Sequence, residues 1–101
     1  MEDETRNEYQ RAIMDTQIFL LGISVEAKSA YILICSMVED GRNPDWASLR
    51  AAWVGEPAAL EPAVAELLAW SVIMVAIDAF GQERFAVNPG SLWLPPGTEE
   101  N

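Results

Sequence analysis

Apolar residues near the start of the chain recur at helical spacing and predict an N-terminal helix over residues 4–23. At about 100° per residue they fall into two stripes, Tyr9, Ile13, Leu20 and Ile23 in one and Met14, Ile18 and Leu21 in the other. One small core normally covers one stripe of an edge helix, so the second stripe predicts contact with another protein or with a second copy of the chain. The alternative is a helix wedged between two parts of the same chain.

The next apolar stretch predicts a central helix over residues 25–40. Ser24 is a suitable N-cap for this helix, and Gly41 suits the C′ position that follows its end. The segment AYILICSMV, at residues 30–38, is apolar nearly all round, which is typical of a buried helix. Cys35 lies within this segment, where a free thiol usually packs as a small hydrophobe.

Two shorter helices are predicted next. The Asn-Pro-Asp run at 43–45 supplies an N-cap, a proline for the first helical position and a first-turn acid, and Gly55 ends this third helix. The Glu-Pro pair at 61–62 repeats the start signal for a fourth helix, which is expected to reach about Ser71. The inward-facing positions of the two helices are expected to be Trp46, Leu49, Trp53, Val64, Leu67 and Leu68.

From residue 73 the apolar period changes from about 3.6 to about 2, which predicts two β-strands. The first strand is expected at residues 73–78, a turn at 80–82, and the second strand at residues 84–87. Because the two strands are separated by a short turn, they are expected to pair as a β-hairpin.

Together these elements predict one domain over residues 1–94, mainly α with a C-terminal β-hairpin. Its core part is expected at residues 24–94, and residues 95–101 are expected to be a flexible tail. The residues expected in the core are Ile32, Cys35, Leu49, Trp53, Val64, Leu67, Leu68, Val75 and Phe85.

The order of elements over residues 28–88 resembles a winged helix-turn-helix domain preceded by an extra N-terminal helix. Residues 45–73, DWASLRAAWVGEPAALEPAVAELLAWSVI, look like its helix-turn-helix, with the recognition helix at about residues 62–71. The leucine pair at 67–68 leads through Ser71 into the first strand, as in the family, although most members have glycine where this chain has Ser71. The resemblance implies DNA binding, with the recognition helix in a major groove.

The charge of the chain argues against DNA binding. Sixteen acidic and six basic residues give a formal net charge of −10, whereas nucleic-acid-binding domains present cations to the phosphates. No Lys or Arg occurs between Arg50 and Arg84. The candidate DNA contacts are Arg42, Arg50, Gln82 and Arg84, although against this net charge surface positions or pairing with nearby acids explain the arginines better.

The recognition-helix position is itself acidic, with Glu61 and Glu66 where cations would contact phosphates. By helical spacing its exposed face is expected to be Ala63, Glu66 and Trp70, which offers no Arg, Asn or Gln to a base edge. This face is therefore a candidate protein-interaction surface, together with the N-terminal stripes. The alternative is that Glu66 is a solvated acid and Trp70 a core residue.

Residues for catalysis or metal binding are few. The chain has no His, one Lys and one Cys, and its six Gly are isolated, so it offers neither a His-based triad nor a phosphate loop. We therefore expect no enzyme activity, no cofactor and no metal. The acidic N-terminus and the lack of an apolar run of about 18 residues predict no membrane contact and a cytoplasmic location.

Three functions follow from these observations. The first is a winged-helix protein that acts through protein contacts as an adaptor, accessory subunit or regulator of a larger assembly. The second is a homodimeric DNA-binding transcriptional regulator. The third is an acidic mimic of nucleic acid that inhibits a DNA- or RNA-handling protein, and a contiguous acidic face would favour it, whereas scattered acids would indicate solubility alone.

Overall fold

Three α-helices followed by a two-stranded antiparallel hairpin form residues 14–96, the part of the chain that this computed structural model describes. The helices are α1 (Val25–Glu39), α2 (Trp46–Ala52) and α3 (Leu60–Ala69), and the strands are β1 (Ile73–Ile77) and β2 (Glu83–Val87). Short 3₁₀ helices occur at Thr16–Leu20, Pro57–Ala59 and Gly90–Leu92. The predicted class, mainly α with a C-terminal hairpin, is confirmed.

Both ends of α1 follow the predicted capping residues. The Ser24 hydroxyl accepts a hydrogen bond from the backbone N–H of Ala27 at 3.0 Å. At the other end Gly41 has a φ of 76°, and the N–H of Arg42 reaches back to the carbonyl of Met37 at 2.9 Å. This Schellman arrangement needs a left-handed residue, which glycine adopts without steric cost.

The predicted N-terminal helix is wrong over its described part, residues 14–23, and its earlier part lies outside the described residues. Only a 3₁₀ helix forms there, at Thr16–Leu20, because the carboxylate of Asp15 accepts the N–H of Gln17 at 2.9 Å and starts a new turn. Leu21 is extended, with a ψ of 151°. Local capping and an extended exit therefore override the helical apolar spacing.

The start of α2 differs from the prediction by two residues. Asp45, not Asn43, is the N-cap, and its carboxylate accepts the N–H of Ser48 at 2.8 Å, which lowers the pKa of Asp45 below its ordinary value. Pro44 precedes the helix, is buried, and accepts the backbone N–H of Phe85 at 3.0 Å. The segment before α2 therefore lies alongside β2.

Helix α3 ends through an unusual residue at the C′ position. Ser71 has a φ of 60°, and the N–H of Val72 donates to the carbonyl of Leu67 at 3.0 Å. The chain thus makes at Ser71 the left-handed turn that glycine usually makes. At its other end α3 begins at Leu60, two residues before the predicted Pro62, because the preceding 3₁₀ turn runs into it.

The core lies among α1, α3, the Leu49 side of α2 and the base of the hairpin. Of the predicted core residues, Cys35, Leu49, Val64, Leu67 and Phe85 are buried, and Trp53 is half-buried against the core. The prediction is wrong for Ile32, Leu68 and Val75, whose side chains are 40%, 36% and 44% exposed. Because α1 is apolar nearly all round, its sequence did not indicate which side faces inward, and β1 is covered only near its start.

Replacing Ser71 with glycine is expected to raise the free energy of unfolding by about 0.5–1 kcal/mol, because a non-glycine residue is strained in the left-handed region. Urea denaturation of the two proteins measures the difference. The matched control is Ser36→Gly, the same change at an exposed site within α1, which is expected to lower stability by about 0.5–1 kcal/mol. A loss of stability in both variants would contradict the prediction.

Candidate protein-interaction surfaces

The described part of the N-terminal stripes packs mostly on the chain's own core. Ile18 is fully buried, and Met14 and Leu21 are half-buried against the core, so the second stripe serves the domain itself. Leu20, from the first stripe, is 85% exposed. Ile23, from the same stripe as Leu20, is buried. Two further candidate contacts, Tyr9 and Ile13, lie outside the described residues.

The Glu66 carboxylate is hydrogen bonded to the N-cap residue of α1. Its Oε1 accepts the hydroxyl proton of Ser24 at 2.7 Å, and its Oε2 accepts the backbone N–H of Ser24 at 3.2 Å. Ser24 in turn caps α1, so the carboxylate lies where the helix dipole favours a negative charge. Glu66 therefore joins α3 to α1 and is neither a solvated acid nor a group free to contact a partner.

The prediction that Ala63, Glu66 and Trp70 form the exposed face of the fourth predicted helix is wrong. Ala63 is only 2% exposed, and Trp70 is half-buried, with its carbonyl accepting the N–H of Leu94 at 2.8 Å. Because α3 packs against α1 along this side, the helix presents the opposite side to solvent. The exposed residues of α3 are Glu61, Pro62, Ala65, Leu68 and Ala69. This surface is largely apolar and offers no group that reads base edges.

Two of the candidate DNA contacts are engaged in local structure. The Arg50 guanidinium lies 5.1 Å from the centre of the Trp46 ring and 3.7 Å from the carboxylate of Glu61. Gln82 is exposed in the hairpin turn, where the carboxylate of Asp78 accepts its backbone N–H at 2.9 Å. Contacts within the chain therefore account for the Arg50 side chain and for the Gln82 backbone.

The other two candidate DNA contacts lie close together. Arg42 and Arg84 line one concavity of about 380 Å³ between the loop after α1 and strand β2. Arg42 pairs with Asp40 at 3.2 Å, and Arg84 donates a hydrogen bond to the side-chain oxygen of Asn43 at 3.1 Å.

The acidic side chains of the described residues are distributed over several elements. Those that accept backbone N–H groups at helix starts or turns are Asp15, Asp45, Glu66 and Asp78. Two more, Asp40 and Glu61, pair with arginines. The remaining exposed acids are Glu26, Glu39, Glu56 and Glu83. They lie at the two ends of α1, after α2 and on β2, so the charge is scattered over separate elements.

An apolar groove of about 410 Å³ separates α1 from the C-terminal end of α2. Val25 and Val54 at this groove are 73% and 96% exposed, and Trp53 forms an aromatic wall. The Trp53 indole donates to the backbone carbonyl of Glu56 at 2.8 Å, which fixes the orientation of the ring. The groove is lined by Val25, Glu26, Ser29, Leu33, Ala52, Trp53, Val54 and Gly55.

Sequence reasoning missed this groove. Val25 is the first residue of a helix and Val54 lies in a connection, so neither belongs to an apolar period that would mark a surface. The one available signal is the pair Trp53 and Val54, two large apolar residues directly before Gly55, where the sequence predicts that a helix ends. The concavity itself arises only when two helices pack, which no local pattern encodes.

The buried Tyr31 and Cys35 are protonated at neutral pH. Tyr31 accepts the N–H of Asp15 at 2.7 Å and packs edge-on against Trp93, with ring centres 5.7 Å apart. Burial raises the pKa of Tyr31 above its ordinary range, and burial raises the pKa of the Cys35 thiol to about 11. Because the thiolate is the reactive form, Cys35 is poorly suited to nucleophilic chemistry.

Residues 14–96 offer neither a membrane-spanning helix nor a cluster of metal ligands. No helix in this range is long and apolar enough to cross a membrane. In the same range, no three or more His, Cys, Asp or Glu side chains are grouped so that they could hold a metal ion. Comparison of the chain with protein-family models, with curated proteins and with solved structures found no match.

Proposed function

We propose that this protein is a non-catalytic, acidic winged-helix protein that acts through protein contacts as an adaptor, accessory subunit or regulator of a larger assembly. The observation that carries the proposal is the apolar groove between α1 and α2. Its volume of about 410 Å³ and its fixed Trp53 wall suit an inserted apolar side chain. The exposed Val25 and Val54 extend the apolar surface at its rim.

The winged-helix part of the proposal is supported by the order of elements. Helices α1, α2 and α3 are followed directly by the hairpin, and α3 passes into β1 through the left-handed Ser71. This is the sequence of elements that the resemblance implies. The fold alone does not specify a function, so the proposal depends on the chemistry of the surface.

The groove also indicates the chemistry of its partner. Glu26 lines the groove, and the chain as a whole carries a net charge of −10. An apolar side chain flanked by Lys or Arg would therefore find both a desolvated pocket and a favourable field. A short amphipathic helix or loop with basic flanks is the partner segment that fits this description.

The two alternatives differ in their support. Homodimeric DNA binding is favoured by the shared concavity of Arg42 and Arg84, but the exposed side of α3 lacks polar groups for base contacts. Mimicry of nucleic acid draws no support from the described acids, which lie on separate elements.

The Val54→Glu substitution is expected to weaken partner binding about tenfold or more, because it places a charge at the rim of an apolar contact. The partner is first captured from a lysate of the source organism with the wild-type protein. It is then purified, and its affinity is measured by calorimetry. Val54 is 96% exposed, so the domain itself should remain stable.

The matched control is Leu92→Glu, which adds the same charge at a residue that is 58% exposed and does not line the groove. Its affinity for the partner should equal that of the wild type. An unchanged affinity of Val54→Glu would contradict the role of the groove. Salt-dependent submicromolar binding to a defined duplex DNA site, measured by fluorescence anisotropy, would contradict the proposed function as a whole.

A further inference from the structure

The two edges of the hairpin differ in how they are covered. At the outer edge of β2, the N–H of Phe85 donates to the carbonyl of Pro44 at 3.0 Å, so the loop before α2 covers that edge. Phe85 pairs across the hairpin with Val75. Paired residues in an antiparallel ladder point their backbone groups in matching directions, either toward each other or both outward. Val75 therefore directs its N–H and C=O away from β2.

The same alternation applies to Ile77, two residues further along β1. The bond of the next residue supports this orientation of Ile77: the N–H of Asp78 points toward the other arm of the hairpin and donates to the carbonyl of Gln82 at 2.9 Å. Within residues 14–96, no segment other than β2 is hydrogen bonded to β1 along residues 75–77. Among the described residues, this edge of β1 thus carries backbone donors and acceptors that no neighbouring strand pairs with, the arrangement that accepts another strand.

The open edge is apolar and uncharged. Met74, Val75 and Ile77 are 47%, 44% and 61% exposed. The edge belongs to residues 67–77, a run with no charged side chain in a protein whose net charge is −10. A contact between two copies of an acidic chain is favoured where such a neutral surface exists, because like charges are then kept out of the interface.

We infer that a second copy of this chain adds its β1 antiparallel to this edge, which joins two hairpins into a four-stranded sheet. The two-fold axis passes through Ala76, so that Val75 lies opposite the partner's Ile77 and the reverse pair follows by symmetry. Four backbone hydrogen bonds form in these two pairs. Ile73 is only 1% exposed, so the seam is confined to residues 75–77 and their neighbours.

The side chains on this seam suit a second copy. Ala76 meets its own symmetry mate in a pair without hydrogen bonds, where the Cα atoms approach to about 4.5 Å and a small side chain fits. Asp78 faces the partner's Met74, and its carboxylate already accepts the N–H groups of Phe80 and Gln82, each at 2.9 Å. A basic strand from another protein would find no acidic side chain within β1 to pair with.

This inference goes beyond the proposed function and does not depend on it. The seam uses β1, whereas the groove is formed by α1 and the end of α2. A dimer that captures no other protein would leave the inference intact. A monomer that binds its partner through the groove would overturn the inference alone.

The sharpest test is Ile77→Pro, measured by light scattering and sedimentation over a range of concentrations. Because the Ile77 N–H points away from β2, a proline there removes two bonds from the dimer and none from the hairpin. The dimer dissociation constant is expected to rise about tenfold or more. Ile77→Lys is expected to act in the same direction, since an edge lysine disfavours strand pairing.

The control is Leu92→Lys, an equal charge change at a residue that is 58% exposed and lies in the 3₁₀ helix after β2, which should leave the dimer unchanged. Circular dichroism and urea denaturation show whether each variant folds as the wild type does. Amide exchange adds a second measurement, because the Val75 and Ile77 amides should become protected as the concentration rises. A wild type that stays monomeric at high micromolar concentration, or a dimer unaffected by both Ile77 variants, would overturn the inference.

Discussion

Replacing Glu66 with alanine is expected to lower the free energy of unfolding by about 2–3 kcal/mol, as measured by urea denaturation at neutral pH. The carboxylate accepts two hydrogen bonds from Ser24, one from the hydroxyl at 2.7 Å and one from the backbone N–H at 3.2 Å. Both bonds are to a charged acceptor and are partly shielded from solvent, which makes them stronger than neutral surface bonds. Their loss would also loosen the cap of α1.

The chain offers a matched control on the same helix. Glu61→Ala removes the same charge, but Glu61 is exposed and its oxygen lies 3.7 Å from the Arg50 guanidinium, so a change of at most about 0.5 kcal/mol is expected. A double-mutant cycle with Ser24→Ala should show coupling of about 1 kcal/mol or more between Ser24 and Glu66. Equal losses for the two glutamates would refute the structural role assigned to Glu66.

Leu67→Ala is expected to have the largest effect on stability, a loss of about 3–4 kcal/mol. Leu67 lies on α3, and its side chain is fully buried in the hydrophobic core. Its backbone carbonyl also accepts the N–H of Val72 in the turn that ends α3. Truncation removes apolar contacts and leaves a cavity that rigid helix packing cannot close.

The adjacent leucine gives the comparison. Leu68 is 36% exposed, so Leu68→Ala should cost about 1 kcal/mol or less. Urea unfolding curves of both variants, with the m-value fitted for each, measure the difference in the free energy of unfolding. The orientation of α3 would be wrong if Leu68→Ala were the more damaging change.

The sequence predicted best where a local signal acts alone. Ser24 and Gly41 define the ends of α1 because capping depends on neighbouring backbone groups, and the change of period at residue 73 locates the hairpin. It predicted poorly where tertiary packing decides between local options. Asp45 displaced Asn43 as the cap of α2 because Pro44 is buried beside β2.

The candidate surfaces were predicted less well than the fold. Ala63 was placed on the exposed side of α3, yet the mixture of alanine and leucine along that helix allows more than one inward direction. The choice is made by Glu66, whose bonds to Ser24 turn that side of α3 toward α1. No spacing rule links residues 42 positions apart in sequence, so the sequence pattern could not supply this contact.

The use of carboxylates as backbone caps has a consequence for engineering the protein. Asp15, Asp45, Glu66 and Asp78 each accept backbone N–H groups, so truncating any of these four side chains would leave those donors without their acceptor. Glu39 and Glu83 are exposed and form no ion pair with the described cations. Replacing those two with glutamine would raise the isoelectric point without altering the architecture. The strongly acidic composition is thus partly a requirement of the fold and partly an adjustable property of its surface.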